Sequence, residues 1–160
     1  MTSVPLRLDL VRHGEAEPVG EGGDGARRLS AAGRHAITEL SSLLTLHGWR
    51  PTAIWASPLV RAQETAAILM AHSRELSIGT LFELMPDGEP DDLIEALLER
   101  SAEGHVVLVG HQPLMGRLVA WLTGAPERAF RPGMLVRLDI HGAPRPGAAT
   151  VEFEIPQTSP

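Results

Sequence analysis

Leu6-Arg7-Leu8-Asp9-Leu10-Val11 alternates and is rich in strand formers, and it runs straight into Arg12-His13-Gly14. The apolar stretch reads as a first strand, and a guanidinium, an imidazole and a glycine follow its carboxyl end. Open α/β sheets gather their ligands beyond that end of the strands. What the segment means therefore depends on whether later strands run beside it in the same direction.

Outward from this point the chain alternates strands with amphipathic helices. The polar, Gly-rich run from Glu15 to Asp24 reads as a loop. Ser30 can cap a helix whose apolar face carries Ile37, Leu40 and Leu44, closing near Gly48. Thr52 to Ala56 reads as a short buried strand. Ser57-Pro58 reads as an N-cap with Pro at the first helical position, opening a helix to about His72 that buries Ala62, Ala66 and Leu69. A weak strand is expected around Leu76 to Ile78, then a loop from Glu83 to Pro90. Asp91 and Asp92 favour a helix start, with Leu93, Ile94, Leu97 and Leu98 as its buried stripe. His105 to Val109 is a near-continuous apolar run, which suits a strand covered on both faces. Gly110-His111-Gln112-Pro113 leads into a helix with Met115, Leu118, Val119 and Leu122 on one side. Met134 to Ile140 and Thr150 to Ile155 read as a terminal hairpin joined by the Gly/Pro-rich His141 to Gly147.

This order predicts a three-layer α/β fold: a mostly parallel sheet, helices on both faces and an antiparallel edge hairpin. One domain is expected over 1–160, with 156–160 as a frayed tail.

Composition narrows the chemistry. The 160 residues are 43% hydrophobic and 21% charged, an ordinary globular balance, and the net charge of −6 attracts neither nucleic acid nor anionic membrane. No apolar run is long enough to span a bilayer, and the start lacks a basic segment followed by an apolar one, so a cytoplasmic protein is expected. Without Cys there are no disulfides, no thiolate zinc sites and no Cys-dependent phosphatase chemistry. Lys is also absent, which excludes a Walker-type phosphate loop and Schiff-base catalysis. The 14 basic residues are all Arg, chiefly a matter of base composition, although Arg is the side chain that grips phosphate with a planar fork.

Three strand ends carry chemically loaded residues: Arg12-His13-Gly14, Arg61 in the first turn after the second strand, and His111 after the apolar strand. Taken singly each has an ordinary reading, as a hydrogen-bonded loop histidine, a solvated helix arginine and a capping residue. Converging on one rim, they form a set suited to phosphoryl transfer. That reaction needs the group held in line and its equatorial oxygens neutralised. Two Arg forks and nearby helix N-termini do the second, and a neutral imidazole can attack phosphorus, splitting hydrolysis into two steps. Adjacent Arg charges keep His13 neutral. A second histidine, if protonated, adds a charged donor, and Gly14 lets backbone approach the phosphate. No His-Glu-x-x-His is present, and Arg beside His13 and His111 would repel a cation, so no metal is expected.

Leu10-Val11-Arg12-His13-Gly14-Glu15 resembles the signature of the histidine phosphatase superfamily, with its phosphoglycerate mutase-like fold. Ser57-Pro58-Leu59-Val60-Arg61-Ala62-Gln63-Glu64-Thr65-Ala66 resembles its second block and Val109-Gly110-His111-Gln112-Pro113 its third. The resemblance runs in order from about Leu6 to Gly124. It implies His13 as nucleophile, with Arg12, Arg61 and His111 completing the phosphate pocket and Gly14 beside it. The short chain looks most like the SixA-type phosphohistidine phosphatases, through Glu15-Ala16-Glu17-Pro18, Asp24 to Gly33 and Glu83 to Gly88. Phosphoglycerate mutases carry an Asn-bearing segment and long insertions, whereas this chain has no Asn.

On that resemblance Arg27 either binds substrate or pairs with Asp24 or Glu21. Glu83 matches the position of a general acid, with Asp87 and Glu89 as neighbours. The SixA branch resembles a version with a reduced or absent acid, which a phosphoramidate fits because an imidazole leaves more easily than an alkoxide. A surface carboxylate is the reading favoured for Glu83 over an acid catalyst. The implied activity is hydrolysis of phosphohistidine on a protein through phospho-His13, by a monomer without metal or organic cofactor. The alternatives are a phosphatase for a small phosphoester and a non-catalytic phosphate-binding module. The few aromatic residues (4%, no Tyr) offer no base-stacking platform and disfavour nucleotides.

Overall fold

The computed structural model describes residues 5–73 and 75–156. Ten main elements follow in order. They are β1 (Leu6–Arg12), α1 (Ala31–Leu46), β2 (Ala53–Ala56), α2 (Val60–Leu69), β3 (Ile78–Thr80), α3 (Pro90–Glu99), β4 (Gly104–Gly110), α4 (Leu114–Thr123), β5 (Leu135–Ile140) and β6 (Ala149–Ile155). The sheet order is β3-β2-β4-β1-β5-β6. Strands β3, β2, β4 and β1 run parallel, while β5 is antiparallel to β1 and β6 to β5. The α/β fold with an antiparallel edge hairpin is the one expected, and it is phosphoglycerate mutase-like. The four residues 157–160 of the expected tail lie outside the described residues.

Side-chain alternation divides the core between the two faces of the sheet. Leu8 and Leu10 of β1, with Val106 and Leu108 of β4, pack under Leu93, Ile94 and Leu97 of α3 and Met115, Leu118 and Leu122 of α4. Val11, Val107 and Val109 point the other way, under Ile37, Leu40 and Leu44 of α1 and Ala62, Ala66 and Leu69 of α2. Central strands buried on both faces are why His105 to Val109 reads as an unbroken apolar run. Each fully buried Leu or Ile contributes about 1.5–3 kcal/mol relative to exposure.

The local expectations hold in most places and shift in four. Ser30 caps α1, its hydroxyl accepting the Gly33 N–H at 3.0 Å. Ser57 does not cap α2: that helix begins at Val60 behind Leu59, without a side-chain cap, and ends at Leu69 rather than near His72. The weak strand lies at Ile78–Thr80, because pairing with β2 sets its register as Ile54↔Ile78 to Ala56↔Thr80. Leu98 is half exposed, at 50%, and Ala96 is the buried residue beside Leu97.

What matters for the site is the register of the two central strands. Arg12 pairs with Gly110, so the residues that follow, His13 and His111, emerge side by side. The His13 N–H donates to the Gly110 carbonyl at 3.1 Å, extending the ladder one step past the strand end.

Candidate active site

At the carboxyl edge of the parallel strands, His13, Arg61 and His111 are buried, at 7%, 5% and 1% exposure. The His13 and His111 rings lie 4.9 Å apart between centroids, tilted by 52°. Sequence analysis placed Arg12, His13, Arg61 and His111 on one rim, and the fold brings them together.

His13 is held in a defined protonation pattern. Its Nδ1 lies 2.7 Å from the Gly14 carbonyl oxygen. A carbonyl can only accept, so Nδ1 carries the proton and Nε2 keeps its lone pair. The Gly14 peptide is itself fixed, because its N–H donates to Thr65 Oγ1 at 3.1 Å, and Thr65 donates to the Arg61 carbonyl at 2.8 Å. A Cβ on Gly14 would lie 2.9 Å from Ile37 Cγ1 and 3.2 Å from the Gly33 carbonyl oxygen. Packing against α1 thus demands this glycine, a reason independent of any phosphate.

The cations are anchored by some of their nitrogens and leave others free. Arg12 donates through Nη1 to the Phe130 carbonyl at 2.7 Å. Arg61 donates through Nη1 to the Asp24 carbonyl at 2.9 Å and through Nη2 to Asp24 Oδ2 at 3.2 Å. His111 Nε2 lies 2.6 Å from Ser57 Oγ. Arg12 Nε, Arg61 Nε and His111 Nδ1 are buried without a hydrogen-bond partner. An unpaired buried polar group loses about 1–3 kcal/mol, so these are nitrogens on which an anion's oxygens would find partners.

Both imidazoles are kept neutral. Burial pushes His13 down to about 4, with the charges of Arg12, Arg61 and Arg27 acting in the same direction against the Gly14 carbonyl. Burial likewise lowers His111 to about 3, aided by His13, Arg61 and Arg12 and opposed by Asp24. The second histidine is therefore a neutral group in this state. An arriving phosphate dianion is the charge that could favour its protonation.

Arg27 pairs with Asp24, Nη1 to Oδ1 at 3.1 Å, and donates through Nε to the Glu17 carbonyl at 2.7 Å. Glu83, with Asp92, Glu95 and Glu99, lines a groove of about 300 Å³ against α3. It makes no hydrogen bond to His13, Arg12, Arg61 or His111. Sequence reasoning missed three groups: Ser57, Thr65, and Asp24 as a partner of Arg61. The first two stand inside the second block, where the pattern Ser57-Pro58 drew attention to capping and away from the hydroxyl.

A family model described as histidine phosphatase superfamily (branch 1) matches residues 8–85, which include Arg12, His13 and Arg61. Over these residues, just under half of the chain, the sequence matches the histidine phosphatase superfamily. His111 lies beyond the matched residues, and strand pairing brings it to the site. No curated relative matches the sequence. Among solved structures, the fold is similar to the protein histidine phosphatase SixA in complex with tungstate (TM-score 0.83, 23% identity, 94% of this chain and 96% of that one). It is similar to a protein of Agrobacterium tumefaciens provisionally described as the phosphohistidine phosphatase SixA (TM-score 0.81, 22% identity, 96% and 99% covered). It is also similar to the alpha-ribazole phosphatase of Shigella flexneri (TM-score 0.73, 22% identity, 91% and 94% covered). At these identities the likeness establishes the fold of a histidine phosphatase and leaves the substrate open.

Proposed function

We propose that this histidine phosphatase hydrolyses phosphohistidine carried on a protein, in two steps through phospho-His13. The observation that carries the reading is the set of buried, unpartnered nitrogens on Arg12 (Nε), Arg61 (Nε) and His111 (Nδ1), side chains that act on His13, whose Nε2 lone pair is free. The phosphate oxygens dock on those nitrogens, Nε2 attacks phosphorus, and water then releases phosphate. Gly14 holds the attacking ring, and Arg27 adds charge at the entrance. Neither step calls for a metal or an organic cofactor. A protein-borne substrate is favoured by the likeness to the protein histidine phosphatase SixA, which overlaps the chain nearly completely in both directions. The overlap with alpha-ribazole phosphatase supports the second reading, a small phosphoester substrate. No helix among the described residues is long and apolar enough to cross a membrane.

The test compares chelator-treated protein on phosphohistidine and on p-nitrophenyl phosphate, with His13→Ala as control. Faster phosphohistidine cleavage that vanishes in the variant supports the reading. Preference for the ester moves the substrate to small metabolites. Absence of turnover together with retained phosphate binding would make the chain a binding module.

A further inference from the structure

A pocket built to receive an anion ordinarily keeps carboxylates away, yet one carboxylate is built into this one. Asp24 sits at the mouth, its side chain 57% exposed, with Oδ2 on Arg61 Nη2 and Oδ1 on Arg27 Nη1. Its backbone carbonyl takes the other Arg61 terminal nitrogen at 2.9 Å. The Arg61 guanidinium is thereby divided. Both terminal nitrogens face Asp24, whereas Nε, like Arg12 Nε and His111 Nδ1, is buried and unpartnered. A phosphate on the free nitrogens and the Asp24 carboxylate can occupy the same guanidinium together, on different atoms. A substrate's leaving group, extending from phosphorus towards solvent, then passes close to a fixed negative charge.

We propose that Asp24 is a specificity-determining residue, whose carboxylate receives the N–H of a cationic, nitrogen-linked leaving group and disfavours phosphates whose remaining part is anionic. This rests on the phosphohistidine reading above and names what enforces it. The bond balance suits such a group. His13 Nε2 bonds to phosphorus as the P–N bond breaks, and the electron pair of that bond stays on the leaving nitrogen. The substrate ring, protonated on its other nitrogen throughout, enters as a cation and departs as neutral imidazole. The positive charge passes to phospho-His13. No proton has to reach the leaving atom, so the reaction does not need Glu83, which faces α3. Because the ring's charge fades as transfer proceeds, Asp24 acts mainly on the bound substrate, and its effect belongs in KM.

The experiment measures Asp24→Asn against the unsubstituted protein on phosphohistidine, p-nitrophenyl phosphate and 3-phosphoglycerate. For phosphohistidine, KM should rise about 10-fold with kcat within about 3-fold; for 3-phosphoglycerate, KM should fall; the uncharged aryl ester should change least. Equal KM changes for all three would overturn the proposal, leaving Asp24 as a prop for Arg61 and Arg27. Binding of phosphohistidine and 3-phosphoglycerate to His13→Ala protein, with and without Asp24→Asn, gives the same comparison independently of turnover. A preference there that Asp24→Asn leaves unaltered overturns the role of Asp24. Loss of turnover in the otherwise unsubstituted protein overturns the two-step reading instead.

Discussion

Two buried polar clusters lie along β1 and just past its end, and they are built on opposite terms. Asp9 is fully buried, and every acceptor direction is used: Arg137 donates to both oxygens at 2.7 and 2.9 Å, and Trp49 Nε1 and His105 Nε2 lie 2.7 and 2.6 Å from Oδ2. Burial alone would raise the Asp9 carboxyl, but the bonds from Arg137, His105 and Trp49 outweigh it and hold it at about 2. This cluster ties β1, β4, β5 and the segment after α1 into one unit and has nothing left to offer a ligand. At the strand end, Arg12, Arg61 and His111 keep buried nitrogens unpaired around a neutral His13. A saturated polar cluster is a structural staple, whereas one left deliberately short of partners is a receiving site.

The contrast can be broken most forcefully at His13. His13→Ala should lower phosphatase turnover by at least about 10⁴-fold and abolish the phosphorylated intermediate, with thermal stability unchanged or slightly raised. Turnover assays, acid-labile phosphate trapping and calorimetry on one preparation check both halves. Asp9→Ala should do the reverse. It strands Arg137 and should destabilise the fold by about 3–5 kcal/mol in urea melts, while KM at a permissive temperature stays within about 2-fold. A selective loss of activity there would mean that the two clusters are one.

Acid should separate them next. His13 and His111 titrate lower in the folded chain than their ordinary value of 6.5, so the unfolded chain takes up protons first. Their contribution to stability is present above pH 6.5 and is lost as pH falls through about 4 for His13 and about 3 for His111. The Asp9 contribution is present above its ordinary 3.8 and is lost only as pH falls through about 2. Melting temperatures measured from pH 7 to 3 should therefore drop before Asp9 titrates, and His13→Ala should flatten that first decline. The smallest effect is expected at Thr65→Val. Removing the hydroxyl leaves the Gly14 N–H unpaired and should cost about 1 kcal/mol of stability and about 10-fold in turnover by loosening the attacking ring. A loss of stability without loss of turnover would assign Thr65 to packing alone.

Much of this was legible in the residues. Apolar periodicity marked the helices and the doubly covered strand His105 to Val109, because burial on one or both faces imposes a pattern within a few residues. The placement of Arg12-His13, Arg61 and His111 after strand ends put these side chains at one edge of the sheet, where the fold brings them together. The boundary of α2, the register of β3 and the exposure of Leu98 were not legible, since neighbours distant in sequence set them. The same holds for Ser57, whose hydroxyl looks like a cap until His111 is placed 2.6 Å away.

The sequence by itself determined which side chains could do phosphoryl chemistry and where along the chain they stood. Strand pairing of Arg12 with Gly110, which sets His13 beside His111, was a tertiary decision. So was the division of the Arg61 guanidinium between Asp24 and an unpaired nitrogen. The physical reason is common to both. Propensity and periodicity act over a few residues, but which polar atoms are satisfied, and which are left waiting, depends on groups that only the folded chain brings within hydrogen-bond distance.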